Sequence, residues 1–211
     1  MAKREELIPL HGGYRRLKSF RVAQLVYDVT VRFCEQYIDR RSRTVDQMVQ
    51  AARSGVQNIA EGSQASGTSK RTELKLTGVA RASLEELRLD YEDYLRQHGL
   101  AQWPAEHPAL ARFKSKRCAT LEQVQAWVRD EHHFARTYTD GHGQTRTKAV
   151  RSVKVHGGPC SSAEMAANAA LSLLNLCCHL LDRQLASQAK AFEAEGGFTE
   201  RLYRVRRNRM G

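Results

Sequence analysis

"SGVQNIAEGSQASGTSKRTE", residues 54–73 of a 211-residue chain, lies between two runs of helical periodicity. Before it, Val45, Val49, Ala52, Val56, Ile59 and Ser63 recur three or four apart, which predicts a helix from about Thr44 to Ser63. After it, Leu76, Ala80, Ser83, Leu87, Tyr91 and Tyr94 do the same, for a helix from about Thr68 to Gln97 with Gly99 as its stop. Between them Gly62 offers a helix stop, and Ser66, Thr68 or Ser69 an N-cap. The stretch therefore predicts the corner of a helical hairpin. Ser54, Asn58 and Glu61 are spaced four and three apart and share a face. Arg81, Ser83 and Glu86 lie close together on the second helix. Two facing polar sets are costly when buried unpaired, but when bonded to each other they set the register of two helices. These six residues are expected to form a structural polar lock rather than a catalytic site.

Two further long helices flank this hairpin. Phe20, Ala23, Tyr27, Thr30, Cys34 and Tyr37 predict one from about Tyr14 to Ile38. Ser161 and Glu164 fit a capping box, opening a helix that Gly196 and Gly197 close near Glu195. Four amphipathic helices of this length predict an all-α chain, an antiparallel four-helix bundle spanning residues 1–211 as a single domain. Residues 100–160 exceed any ordinary bundle loop and read as an insertion between the third and fourth helices. "TLEQVQAWVRDEHHF" is expected to be a short helix there, and the β-branched residues around Asp140-Gly141-His142-Gly143 suggest a β-hairpin. Residues 196–211 form a basic C-terminal suffix.

The balance of 34 basic and 23 acidic residues leaves a formal charge of +11, which favours a polyanionic partner, nucleic acid first. Five cysteines, odd in number and without CxxC spacing, argue against a disulfide framework and for a reducing cytoplasm. No secretory leader is evident, and "AALSLLNLCCHLL" is too short to span a membrane, so no membrane partner is expected. In the last helix Asn168, Ser172, Asn175, His179 and Asp182 make a polar stripe, while Leu171, Leu173, Leu174, Leu176, Cys177, Leu180 and Leu181 make an apolar band wider than one core seam needs. That width suggests burial by the bundle on one side and by another copy on the other.

In the suffix, Phe198, Leu202 and Val205 are spaced to dock one side of a short helix. Arg201, Arg204, Arg206, Arg207 and Arg209 would then meet phosphates, and Tyr203 would stack on a base. The insertion adds Lys114, Lys116, Arg117, Arg146, Lys148, Arg151 and Lys154. His132, His133, His142, His156 and Cys160 are zinc-type ligands, but they lack compact ligand spacing, so no metal or other cofactor is expected. No P-loop, G-x-S-x-G or kinase motif occurs.

The motifs "SGVQNIAEG" and "VARASLEEL" resemble those of the four-helix-bundle proteins encoded in 23S ribosomal RNA intervening sequences, a family that includes the accessory variability determinant of diversity-generating retroelements. Ser54, Asn58, Ile59, Ala60, Glu61 and Gly62 match its first motif. Ala80, Arg81, Ser83, Leu84, Glu86 and Leu87 match its second, with Ala82 where the family often has Gly. "LLDRQLASQAKAFEAEGGFTERLYRVRRNR" is similar to the C-terminal suffix of one subgroup. The resemblance implies a homopentameric ring of bundles that holds RNA or DNA, with a reverse transcriptase as a possible partner. The expectation is a non-catalytic, oligomeric nucleic-acid-binding accessory protein. Its rivals are a metal-dependent nuclease using the His-rich insertion and a purely structural adaptor.

Overall fold

The first helix begins where "GGYRRL" tightens into a 3-10 turn at Tyr14–Arg16 and the chain then opens into α1, Lys18–Tyr37. A computed structural model describes residues 7, 8, 10–140 and 160–210, with side chains to residue 135 and from 160 to 207. After α1 come α2 (Arg43–Ala65), α3 (Lys70–Gln97), α4 (Pro108–Lys116), α5 (Leu121–Asp140), α6 (Ser162–Glu195) and α7 (Phe198–Met210). The described residues are helical or irregular, with no strand among them.

Local chemistry sets the boundaries. Ser42 opens α2 by accepting from the Thr44 amide, and Ser69 opens α3 by accepting from the Thr72 amide. At the end of α3, Gly99 takes φ +63°, the Leu100 amide donates to the Leu95 carbonyl at 2.9 Å and the Gly99 amide to the Arg96 carbonyl at 3.3 Å. This is a Schellman closure, which needs the left-handed backbone that glycine adopts without strain. Ser161 caps α6 by accepting from the Glu164 amide at 3.1 Å. Glu164 does not return the favour as a capping box would; its carboxylate accepts from the Trp103 indole N–H at 2.9 Å.

Packing joins α1 to α2 and α6, α2 to α3, and α3 to α6 around one core. α2 and α3 run in opposite directions, with Ser54 opposite Ser83 and Gly62 opposite Glu73. So do α3 and α6, with Arg81 bonded to Asp182 and Glu73 to Gln188. Phe33 anchors the middle, with its ring 4.9 Å from Tyr91 and 4.8 Å from Tyr94. The Tyr91 hydroxyl is satisfied by Thr30 at 3.1 Å, so the aromatic core carries no orphan donor there.

Several expectations change. Gly62 is not a stop. It is buried inside α2, where a Cβ would lie 3.3 Å from the Glu73 carbonyl oxygen and 3.3 Å from the Leu76 Cβ. Its role is close helix approach. The buried line of α2 is Met48, Ala52, Gly55, Ile59 and Gly62, with Val45, Val49 and Val56 flanking it, because small residues let α3 come nearest along that line. The insertion contains two helices: α4, started by Pro108 at its first position, and α5, which continues through Asp140, where the first arm of the hairpin was expected. Once α5 is nucleated, adding Thr and Tyr residues costs less than starting a strand. The rest of the expected hairpin lies outside the described residues.

Candidate nucleic-acid interface

The suffix begins as a sharp corner. Gly196 takes φ +71°, and Glu200 turns back to accept from the Gly197 amide at 2.8 Å, so α7 starts almost at once. Its arginines divide. Arg201 is buried and is no surface cation. Arg204 donates to the Glu195 carbonyl at 2.8 Å, helping to satisfy the end of α6. Arg206 and Arg207 are exposed, and Tyr203 is 69% exposed. Val205 is buried as the spacing predicted, while Phe198 and Leu202 are half-buried. The Arg209 side chain lies outside the described residues.

In the insertion, Lys114, Lys116 and Arg117 are exposed around the end of α4. Lys114 donates to the Ala105 carbonyl at 3.0 Å, and Lys116 pairs with Asp130 at 3.0 Å. Arg117 takes φ 48°, a left-handed helix end. Arg146, Lys148, Arg151 and Lys154 lie outside the described residues. The α4 patch sits by the start of α6, because the Trp103 amide donates to Asn168 at 2.8 Å just before α4 begins. From Asn168 to the end of α6 the helix rises by roughly 40 Å, so the α4 cations and the suffix are at opposite ends.

Additional cations stand at the end of the bundle where the suffix leaves α6. Ser19 bonds Gln184 at 2.7 Å, Glu73 bonds Gln188 at 3.1 Å, and the Gly12 amide donates to the Ser63 carbonyl at 3.0 Å. These contacts bring the start of α1, the α2–α3 corner and the end of α6 to one pole. There Arg15, Arg16, Lys18, Arg21, Arg71 and Lys75 are exposed, as are Arg206 and Arg207 on α7. The exposed acids of this pole are Glu61, Glu193, Glu195 and Glu200. The cluster "YRRLKSFR" was visible in the sequence, but its place at the end of the bundle where α6 finishes, with Ser19 bonded to Gln184, follows only from the fold.

The polar lock is partly formed. The Ser54 and Ser83 hydroxyls bond each other at 2.9 Å, and the Asn58 amide donates to the Ser54 carbonyl at 2.9 Å and hydroxyl at 3.1 Å. Glu61 and Glu86 are exposed and take no part in it. Arg81 turns to α6 and donates to Asp182 at 2.9 Å, a bond that raises its already high pKa. At the start of α3, Lys70 pairs with Glu73 at 3.4 Å, both partly buried.

Of the zinc-type ligands, His132 is half-buried, His133 is exposed, and Cys160 is half-buried with its thiol pKa raised by burial and by Glu164. His142 and His156 lie outside the described residues. Among the described residues no group of three or more His, Cys, Asp or Glu could hold a metal. All five cysteines are free thiols, and burial pushes Cys34 up to about 11.

Most of the apolar band of α6 is buried within the chain, while Leu180 is half-buried and Leu176 exposed. Leu171, Leu173, Leu174, Cys177 and Leu181 are buried, because α4 and α5 cover α6 in addition to α1 and α3. Its polar stripe splits: Asn168 is buried and bonded to the backbone around Trp103, while Asn175, His179 and Asp182 face solvent. The exposed large apolar residues that remain on α3 and α6 are Val79, Leu89, Leu176 and Phe192. No protein-family model, curated protein or solved structure matches the chain.

Proposed function

We propose that the chain is a non-catalytic nucleic-acid-binding protein built on an antiparallel four-helix bundle of α1, α2, α3 and α6, with α4 and α5 as a lateral insertion. The observation that carries the reading is the end of the bundle where α1 and α3 begin and α6 ends, which carries exposed Arg15, Arg16, Lys18, Arg21, Arg71 and Lys75 and from which α7 leaves with exposed Arg206 and Arg207, eight cations against the four exposed acids named above. Such a surface attracts phosphates without reading base edges, so binding is tolerant of sequence. Tyr203, exposed among the α7 arginines, adds a stacking platform for an unpaired base. The α4 cations make a secondary contact for long ligands. A duplex reaching from one pole to the other needs about 12 base pairs, at about 3.4 Å each.

Exposed Val79, Leu89 and Leu176 support association of copies through the outer faces of α3 and α6, with five as the number the resemblance implies. A reverse transcriptase is the protein partner it implies.

Fluorescence anisotropy with labelled RNA and DNA tests the reading. Replacing Arg15, Arg16, Arg206 and Arg207 with Gln is expected to weaken binding about tenfold or more, and replacing Lys114 and Arg117 much less. Equal affinity in all three proteins, or no binding by the wild type, would remove the proposal.

A further inference from the structure

A cleft of about 340 Å³ opens between α1, α5 and the first turn of α6, away from the basic pole. Its floor is apolar: Val29, Phe33, Val124 and Val128 are all buried core residues. Its rim is cationic, carrying Arg32, Arg129 and His132. Ligand sites combine an apolar body with a few convergent polar groups in this way.

The rim cations are under-used. Arg32 pairs with Glu35 through one terminal nitrogen at 3.1 Å, but its Nε is closed off from solvent and has no partner. Arg129 is exposed and His132 half-buried, and among the described residues no hydrogen bond or ion pair engages either. Residues 141–159, which join α5 to α6, contain no Asp or Glu and so supply no carboxylate to Arg129. Asp28 and Glu122 face each other at the end of the cleft marked by Val29 and Leu121, while Glu131 and Glu164, beside the lining residues His132 and Ser162, are engaged by Arg112 and by the Trp103 indole N–H. Ser162, the first residue of α6, lines the opposite part, so the positive end of a long helix adds to the field of the cations.

We propose that this cleft binds a small amphipathic organic anion, with its apolar body on Phe33, Val124 and Val128 and its carboxylate, sulfonate or phosphate between Arg32 and Arg129. The charge of the rim selects an anion over a neutral molecule of the same shape.

The probe is 1-anilinonaphthalene-8-sulfonate, whose fluorescence rises in an apolar site, titrated into the full chain. Saturable binding at one site per chain is expected, displaced by decanoate and at least tenfold weaker for the uncharged N-phenyl-1-naphthylamine. R129Q, an exposed and unpaired position, should weaken the sulfonate at least tenfold without changing circular dichroism. Q125W, which fills the cleft from its rim, should abolish binding while R206Q/R207Q leaves it unchanged. Absence of saturable binding overturns the proposal. So does equal affinity for the neutral probe, or binding that survives both R129Q and Q125W. Nucleic-acid affinity is read separately on the same variants; its retention in Q125W keeps the two sites distinct.

Discussion

At the scale of single residues, close approach decides more than polarity does. Gly55 on α2 is the tightest point: a Cβ there would stand 2.7 Å from the Leu84 side chain, a fully buried residue of α3. Gly55→Ala is expected to cost about 1–3 kcal/mol from overpacking, more than the helix propensity it gains, and urea denaturation checks this. Ser83→Ala removes the hydroxyl partner of Ser54 but leaves Ser54 near Asn58, so a loss of about 0.5–1.5 kcal/mol is expected by the same measurement. His107 supplies a pH signature. Burial first, then the nearby Arg112, lower its pKa below 6.5, with Glu131 opposing. The folded state therefore disfavours the imidazolium while the unfolded chain accepts it freely. Stability is full above the unfolded value and falls as pH drops through 6.5 toward the folded pKa. Asp28 and Asp90, whose pKa values are raised from 3.8 by burial, act oppositely but in a lower window. The urea midpoint should decline between neutral and mildly acidic pH, and His107→Gln should flatten that decline.

At the scale of elements, the helices were legible because their signals are local. Ser42, Ser69, Ser161, Gly99 and Gly196 each act on the backbone within a few residues of themselves. Gly62 was misread because a glycine at a helix end and a glycine at a helix crossing look alike until the facing helix is present. α4 and the full length of α5 were missed for a related reason. Their stability comes from Phe113 packing on Trp127 at 4.8 Å and from the Arg112–Glu131 ion pair, contacts between the two helices rather than within either. The clasp that ties this insertion to α6 is equally non-local: Trp103 gives its indole N–H to Glu164 and its amide to Asn168. Asn168→Ala would leave the Trp103 amide and the Ala101 carbonyl without their buried partner, at a cost of about 1–3 kcal/mol. Hydrogen exchange should show α4 and α5 opening more readily in that variant, with α2 and α3 unaffected.

At the scale of the whole molecule, charge is gathered rather than spread. Residues 15–21 and the end of α6, from which the suffix leaves, are remote in sequence and reach one end of the bundle only because α6 runs back along α1 to Ser19. The suffix arginines therefore cannot be treated as one group: Arg201 is interior and Arg204 closes a helix, so changing either confounds binding with folding. The most direct test of the basic pole leaves both in place. RNA affinity is measured across a range of salt for the wild type and for a variant with Arg15, Arg16, Arg206 and Arg207 replaced by Gln. The account predicts a steep log–log decline for the wild type, made shallower in the variant by about 0.7–0.9 for each phosphate contact removed. A variant that folds normally and keeps the wild-type affinity and salt slope would contradict it.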